Sequence, residues 1–271
     1  MPDYKEIKTI DPVIARTDVV TELKHDGTCM EWDGQHLVSE RGIIRDDRFP
    51  HIVKELQGFN WKLQGEIAVP GGNVHDINAS INWQKGLFYA FQINELNNDD
   101  WTDALPVDVR AKLDELFDIS ANSFKALRTV KRFPTVKAGW KFIQHHYKLD
   151  HYVEGLVIKP HDGSKGIKFK ILREGKFPVL DHEPGKDTGS GPAKGAFIID
   201  CLNGNRGKCS ALSVGYVDRF HKMVKAGKTP YAEIEYPFMT SNGTGVLFQP
   251  RLRDLDTLAE LKKKFPEKKV V

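Results

Sequence analysis

The sequence predicts an α+β protein: antiparallel sheets with flanking helices over roughly the first two thirds, then a small all-β barrel. Three observations predict it. Short segments of strand-like alternation, broken by Gly-containing turns, are interspersed with a few stretches of helical spacing up to residue 178. A Gly-, Pro- and charge-rich interruption, a linker or an exposed loop, runs from His182 to Pro192. Beyond it the chain reads as strands of an all-β module of about 80 residues, with a frayed basic helix end from Lys262-Lys263-Lys264 to Lys268-Lys269. The expected domains are therefore residues 1–178 and 179–271.

Taken in order, the first element is the β-like run Asp18-Val19-Val20-Thr21-Glu22-Leu23, which ends at Lys24-His25-Asp26-Gly27. Thr28–Trp32 and Gln35–Ser39 form a hairpin, and Asp33-Gly34 predicts a two-residue turn between them. A helix is expected over Phe49–Gln57, with Pro50 in its first turn and Gly58 after it. Trp61–Val69 alternates and stops at Pro70-Gly71-Gly72, and Gly86–Ile93 is apolar enough to lie centrally in a sheet. Val107–Ile119 and Val136–Lys148 carry apolar residues at helical spacing. Glu154–Lys159 and Ile167–Ile171 are short strands joined by a Gly-containing turn. In the last module, Ala196–Leu202, Lys208–Val217 and Tyr231–Tyr236 read as strands, whose number and size suit a five-stranded barrel of the oligonucleotide-binding type, the OB-fold. No internal repeat is visible.

A length of 271 residues, 40% hydrophobic and 28% charged, describes an ordinary globular chain with room for a real core. No apolar run approaches the roughly 20 residues that cross a bilayer. The polar start Met1-Pro2-Asp3-Tyr4-Lys5-Glu6 carries no leader pattern, so no membrane partner is expected. Cys29, Cys201 and Cys209 are odd in number and lack CxxC spacing. They suggest neither a disulfide framework nor a four-thiolate zinc site, and the expected compartment is the reducing cytoplasm. No oligomerisation pattern is visible, so a monomer is expected. The net charge of +3 is unevenly spread: residues 1–158 hold 19 Lys/Arg against 24 Asp/Glu, and residues 159–271 hold 21 against 13. Cations gathered in one half fit a polyanionic partner on one surface, and equally a solvated lysine-rich face.

The chemistry centres on Lys24. A lysine at a strand end on a tight turn can be presented to a phosphoanhydride, provided that its ammonium, ordinarily near a pKa of about 10.4, loses a proton. Nearby cations and desolvation lower that pKa. Lys159 closes one strand, and Lys168 and Lys170 share a face of the next, because strand side chains alternate. Lysines converging in this way call for an anion between them, and a nucleoside triphosphate is the natural occupant. Glu66 and Glu154 offer hard oxygens for a divalent metal, and Phe91 an aromatic face for a purine. His145-His146 and His151 fit surface histidines better than a metal site, Gly71-Gly72 and Gly189–Gly191 fit turns, and Trp32, Trp61 and Trp83 fit packing.

In chain order, Glu22-Leu23-Lys24-His25-Asp26-Gly27, Gln64-Gly65-Glu66, Phe88-Tyr89-Ala90-Phe91, Glu154–Lys159 and Lys168-Phe169-Lys170 resemble the successive motifs of the covalent nucleotidyltransferases. That superfamily comprises polynucleotide ligases and messenger-RNA capping enzymes, and within it the chain looks most like a minimal ATP-dependent DNA ligase. The resemblance implies that residues 1–178 form an ATP-grasp-like adenylation (nucleotidyltransferase) domain and residues 179–271 an OB-fold domain. It implies that Lys24 attacks the α-phosphate of ATP, that the adenylate passes to the 5′-phosphate of nicked double-stranded DNA, and that the 3′-hydroxyl displaces AMP. On motif match, Glu22 contacts the adenine amino group, Glu66 the ribose or metal, and Phe91 the base. Glu154 binds Mg²⁺ or Mn²⁺, and Lys159, Lys168 and Lys170 hold phosphates. ATP is favoured over NAD because only 23 residues precede Lys24 and no zinc module is visible.

The sequence departs from the family pattern in four places. Cys29 stands where an arginine is common. Ser39-Glu40-Arg41-Gly42 replaces Ser-Arg-x-Gly; Arg41 is expected to substitute from the adjacent position as a cofactor-binding residue, although on a regular strand its side chain leaves the opposite face. Phe91-Gln92 lacks the usual Phe-Asp carboxylate. The C-terminal Arg-x-Asp-Lys motif has no clean copy, and Arg253 is the expected pyrophosphate contact. The alternatives are an RNA ligase, which Asp26 disfavours, a capping guanylyltransferase, and a non-catalytic nucleic-acid-binding OB protein.

Overall fold

The structure, a computed structural model, describes residues 4–119, 124–148, 153–185, 195–210, 213–240 and 245–266. Two units are present, Met1–Ile171 and Leu172–Val271. The first contains β1 (Tyr4–Ile7), β2 (Val19–Lys24), β3 (Thr28–Trp32), β4 (Leu37–Ser39), α1 (Pro50–Leu56), β5 (Trp61–Ala68) and α2 (Val74–Asn78). After a 3₁₀ segment (Ser80–Lys85) follow β6 (Leu87–Leu96), β7 (Asp99–Asp100), α3 (Pro106–Ile119), β8 (Leu127–Thr129), β9 (Arg132–Phe133), α4 (Val136–Lys148), β10 (Gly155–Pro160) and β11 (Gly166–Lys170).

These strands make two sheets, ordered β1-β11-β10-β2-β9 and β4-β3-β5-β6-β7, with β8 also paired to β6. Most pairs are antiparallel as expected, but β1–β11 and β6–β8 are parallel. Alternation places the apolar residues of each sheet on a helix-covered face. Leu63, Ile67, Phe88 and Ile93 pack with Ile52 and Leu56 of α1 and Leu113 of α3. Leu156, Ile158 and Phe169 pack with Val136 and Ile143 of α4. Trp32 and Trp61 belong to the first of these cores, with Trp83 against its margin.

Register decides what the other face carries. Gly155 lies opposite Lys24 and Val157 opposite Glu22, while Lys168 and Lys170 lie opposite Val157 and Gly155. Residues directly opposite in an antiparallel pair share a face, so Glu22, Lys24, Lys159, Lys168 and Lys170 all project to one side of this sheet. Gly155 makes that register possible: a Cβ there would lie 1.8 Å from the Phe169 carbonyl oxygen.

The second unit contains β12 (Arg173–Glu183), β13 (Ala196–Asp200), β14 (Arg206–Ser210), α5 (Val214–Lys225), β15 (Tyr231–Tyr236), β16 (Arg251–Asp256) and α6 (Leu258–Lys264). Its five strands form an antiparallel sheet, β14-β13-β12-β15-β16, over a core that includes Phe177, Phe197, Ile199, Phe220, Ile234 and Leu255.

Several expectations are corrected. A boundary at 178/179 would cut β12, which pairs with β15 from Arg173 onward and with β13 to Glu183, so the second unit starts at Leu172. The Gly- and Pro-rich stretch therefore joins two paired strands and does not separate domains: His182 and Glu183 lie in β12, and residues 186–194, with Gly189–Gly191, fall outside the described residues. The unit is not all-β. The expected strand Lys208–Val217 ends at Ser210 and gives way to α5, whose Tyr216, Val217 and Phe220 dock on the core at helical spacing. The β3–β4 turn spans Asp33–His36, because the Asp33 carboxylate accepts from both the Gln35 and His36 amides at 2.8 and 2.7 Å, closing a four-residue loop.

Candidate active site

Each residue of Lys24-His25-Asp26-Gly27 has a distinct structural task. Lys24 ends β2, and its Nζ donates to Glu154 Oε2 at 2.6 Å. The His25 ring stacks on Tyr89, with centroids 3.9 Å apart and planes 20° from parallel. Asp26 accepts from the Val74 amide at the start of α2 at 3.3 Å. Gly27 packs so tightly on β5 that a Cβ would meet the Ile67 carbonyl oxygen at 2.2 Å, and its N–H donates to Glu66 Oε1 at 3.0 Å. The tetrapeptide thus anchors β2, α2 and β5 around one amine.

A cavity of about 600 Å³ opens there, lined from the first sheet by Glu22, Lys24, Val157, Lys159 and Lys168 and from the second by Cys29, Glu66 and Phe91. Arg41 lines it as well. The expected parity problem at Arg41 does not arise, because β4 ends at Ser39 and Arg41 stands in a turn. Glu154 joins the group through Lys24, and Lys170 Nζ lies 3.4 Å from Glu154 Oε1. Cavity and contacts together therefore unite nine of the ten expected site residues. The tenth, Arg253, belongs to the second unit, where Glu174 and Glu235 hold its guanidinium at 2.7 and 3.1 Å and the Phe265 ring faces it at 5.4 Å.

The electrostatics differ from the expectation. Three of the four lysines are paired within the chain: Lys159 pairs with Glu22 at 2.8 Å, and Lys24 and Lys170 share Glu154. Burial works to lower the Lys24 pKa, but Glu154, Glu66 and Asp26 outweigh it and hold the ammonium above the ordinary lysine value. Lys24 is thus protonated in the ligand-free protein. Burial also pushes the Glu66 carboxyl up to about 7, against the pull of Lys24. Cys29 sits opposite Glu66 across β3 and β5, and burial with the nearby carboxylates pushes its thiol up to about 12, so it supplies no charge in place of an arginine.

Glu66 carries a stability prediction. Its folded pKa lies above its unfolded one, so between about pH 4.5 and 7 the native state keeps a proton that the unfolded chain has lost, and stability falls as pH rises through that window. Glu66→Gln, which can still accept from Gly27, is expected to melt above wild type at pH 8, with the gap closing toward pH 4.5. Thermal melts across that range read it directly.

Several site residues were not anticipated. Arg45 and Arg48, from the β4–α1 connection, line the cavity beside Arg41. Tyr4 lines it from β1, with Lys168 Nζ 4.5 Å above its ring. Arg110 of α3 bonds Glu22 from behind at 3.3 Å. The one sequence signal for it was an arginine three residues before Leu113 and seven before Phe117, on the buried stripe of the helix. His145 and His146 remain on α4, and His151 lies outside the described residues. Among the described residues no group of three or more His, Cys, Asp or Glu could hold a metal ion. No helix among them is long and apolar enough to cross a membrane.

Fold and site geometry together define a class: the chain has the fold of DNA ligases. A Lig E DNA ligase, from work on DNA binding with a minimal scaffold, aligns over 94% of this chain and 100% of its own at a TM-score of 0.65 and 17% identity. The structure named Pmar-Lig_PreS3 aligns over 94% of this chain and 67% of its own, with a TM-score of 0.66 and 15% identity. The ligase domain of M. tuberculosis LigD aligns over 94% and 95%, with a TM-score of 0.53 and 17% identity. No family model matches the sequence, and no curated protein matches it.

Proposed function

We propose that this protein is an ATP-dependent DNA ligase that seals 5′-phosphate/3′-hydroxyl nicks in duplex DNA. The observation that carries the reading is the placement of Lys24: a half-buried amine at a strand end, in a cavity whose walls bring together Glu22, Glu66, Phe91, Lys159 and Lys168. In the first step the Lys24 ammonium gives up a proton to water, and its Nζ bonds to the α-phosphorus of ATP as the bond to the bridging oxygen breaks and pyrophosphate leaves. Glu22 accepts from the adenine amino group and Phe91 stacks on the base, while Lys159, Lys168 and Lys170 hold phosphate oxygens and Arg253 the departing pyrophosphate. The adenylate then moves to the 5′-phosphate of the nick, and the 3′-hydroxyl displaces AMP.

The donor set fits a divalent metal. Glu66 lines the cavity and Glu154 bonds Lys24; burial is the main cause of the raised Glu66 pKa, and the neighbouring Glu154 and Asp26 charges add to it, a local negative charge that a cation would relieve. They would hold Mg²⁺ or Mn²⁺ with phosphate oxygens completing its shell. Bound there, the ion would neutralise charge on the phosphates. The second unit, five antiparallel strands with bulges in β12 and β16, is read as an OB-fold that closes on the duplex, and Met1–Ile171 as the adenylation domain. Action as a monomer in the cytoplasm belongs to the same proposal, supported by three free cysteines.

Incubation with α-labelled ATP, GTP or labelled NAD, followed by sealing assays on nicked DNA and on RNA-containing hybrids, tests it. Label is expected from ATP, and sealing on the DNA nick. Label from GTP alone, or sealing confined to RNA, would overturn the assignment. With Cys29 uncharged, Arg41, which lines the cavity beside Arg45 and Arg48, is read as the phosphate contact at the nick. Arg41→Ala is therefore expected to cut sealing by about tenfold or more while self-labelling changes little, as for a lost charged hydrogen bond. Single-turnover assays of the two steps separate these effects.

A further inference from the structure

The geometry points to Arg110 as a positioning residue that sets the nucleobase preference of the cavity through Glu22, an inference that rests on the ligase reading above. Arg110 lies on α3, outside every motif of the resemblance, and is only 4% exposed. Its Nη1 donates to Glu22 Oε1 at 3.3 Å and to the Val130 carbonyl at 2.9 Å. Its Nη2 donates to Thr129 Oγ1 at 3.1 Å and to Asp114. The guanidinium is therefore locked to the helix and to the β8–β9 connection before it reaches Glu22. From the other side, Lys159 holds Glu22 Oε2 at 2.8 Å, and the same ammonium donates to the Phe91 carbonyl at 2.8 Å. Glu22, Lys159 and Phe91 all line the cavity, whereas Arg110 does not.

Glu22 is thus a buried carboxylate clamped between two cations, one oxygen to each. An ionised carboxylate only accepts hydrogen bonds and has about four lone-pair sites, so the clamp leaves acceptor capacity for the cavity. A base edge bearing an amino donor satisfies it, and an edge bearing a carbonyl faces acceptor against acceptor. Adenine and guanine differ in this way at their six-position. Without Arg110, one oxygen of Glu22 loses its fixed partner, the carboxylate is free to turn toward Lys159, and the discrimination against a carbonyl edge weakens.

The test measures ATP-over-GTP preference twice in the full-length protein: as covalent label with Mg²⁺, and as equilibrium binding of each nucleotide in EDTA. Arg110→Met is expected to lower the preference by about tenfold or more, a small part of the roughly 10⁴–10⁵-fold by which a site built around a hydrogen bond can reject the wrong partner. Arg110→Lys is expected to restore part of it, and Glu22→Gln/Arg110→Met to show no further change beyond Glu22→Gln, because Arg110 acts through that carboxylate. Should Arg110→Met fail to fold, Asp114→Asn, which loosens the guanidinium from its partly exposed side, is expected to shift the ratio in the same direction. A folded Arg110→Met, or in its absence Asp114→Asn, with the wild-type ratio overturns the inference. A wild type that binds ATP over GTP but takes no label sinks the covalent reading and leaves the Arg110 inference to the binding ratio. A wild type that binds neither nucleotide overturns both.

Discussion

Lys24→Ala is expected to take up no covalent nucleotide and to seal no nick, while remaining folded enough to bind ATP. No other lysine in the cavity can replace it: Lys159 is held by Glu22 and by the Phe91 carbonyl, and Lys168 stands over Tyr4, each on a different strand position. The variant also removes half of a buried ion pair. Lys24 and Glu154 side chains are 15% and 10% exposed, and among the described residues only Lys170, at 3.4 Å, remains to pair with Glu154. Stranding a buried charge in this way costs about 3–5 kcal/mol. Glu154 escapes that cost by taking a proton, so the deficit in melting temperature is expected to be large at pH 8 and to shrink toward pH 5. The labelling defect, by contrast, is expected at every pH. Labelled-nucleotide uptake and melting curves across pH distinguish the two effects, and label on Lys24→Ala equal to wild type would disprove the nucleophile.

Gly27→Ala is expected to be nearly as damaging to labelling, although it adds one methyl group and changes no charge. The Cβ would lie 2.2 Å from the Ile67 carbonyl oxygen, 2.9 Å from its carbon and 3.0 Å from Ala68 Cβ. Two of these three atoms are backbone, so no side chain can swing aside, and the start of β3 must part from β5. That movement breaks the Gly27–Glu66 hydrogen bond and shifts Lys24, three residues away, relative to Glu66. Displacement of a reacting group by about 1 Å costs on the order of 100-fold in rate. The stability cost is expected to be about 1–3 kcal/mol, as for overpacking. Gly58→Ala, where a Cβ meets nothing within 4 Å, is the control and is expected to behave as wild type. Wild-type labelling by Gly27→Ala would show that the tight approach has no role in placing the amine.

How much of this was legible in the sequence depended on distance along the chain. β2, β3, β5, β10, β11, β13 and β15 lie where alternation placed them, to within a few residues, and so do α1, α3 and α4, because periodicity and capping are local properties. Misreadings arose where a local signal has two solutions. Lys208–Val217 is apolar in a pattern that a short strand and a helix start share, and packing against Phe197 and Ile199 chose the helix. Asp33-Gly34 fits a two-residue turn, until the Asp33 side chain captures two amides and widens it.

By itself the sequence placed most strands and helices, and its ordered motifs, read through their resemblance to the covalent nucleotidyltransferases, pointed to Lys24 and eight other residues that the cavity and its contacts bring together; strand parity added that Lys168 and Lys170 share a face. Only the tertiary structure decided how their charges are matched. Lys24 meets Glu154 across 130 residues and Glu22 meets Arg110 across 88, separations at which no spacing rule operates. The first pair helps to reverse the expected shift of the Lys24 pKa, and the second brings an arginine outside every motif to the site, while burial keeps Cys29 uncharged. Register and burial bring such charges together, and both are set by the packing of the two sheets against their helices rather than by any short stretch of the chain.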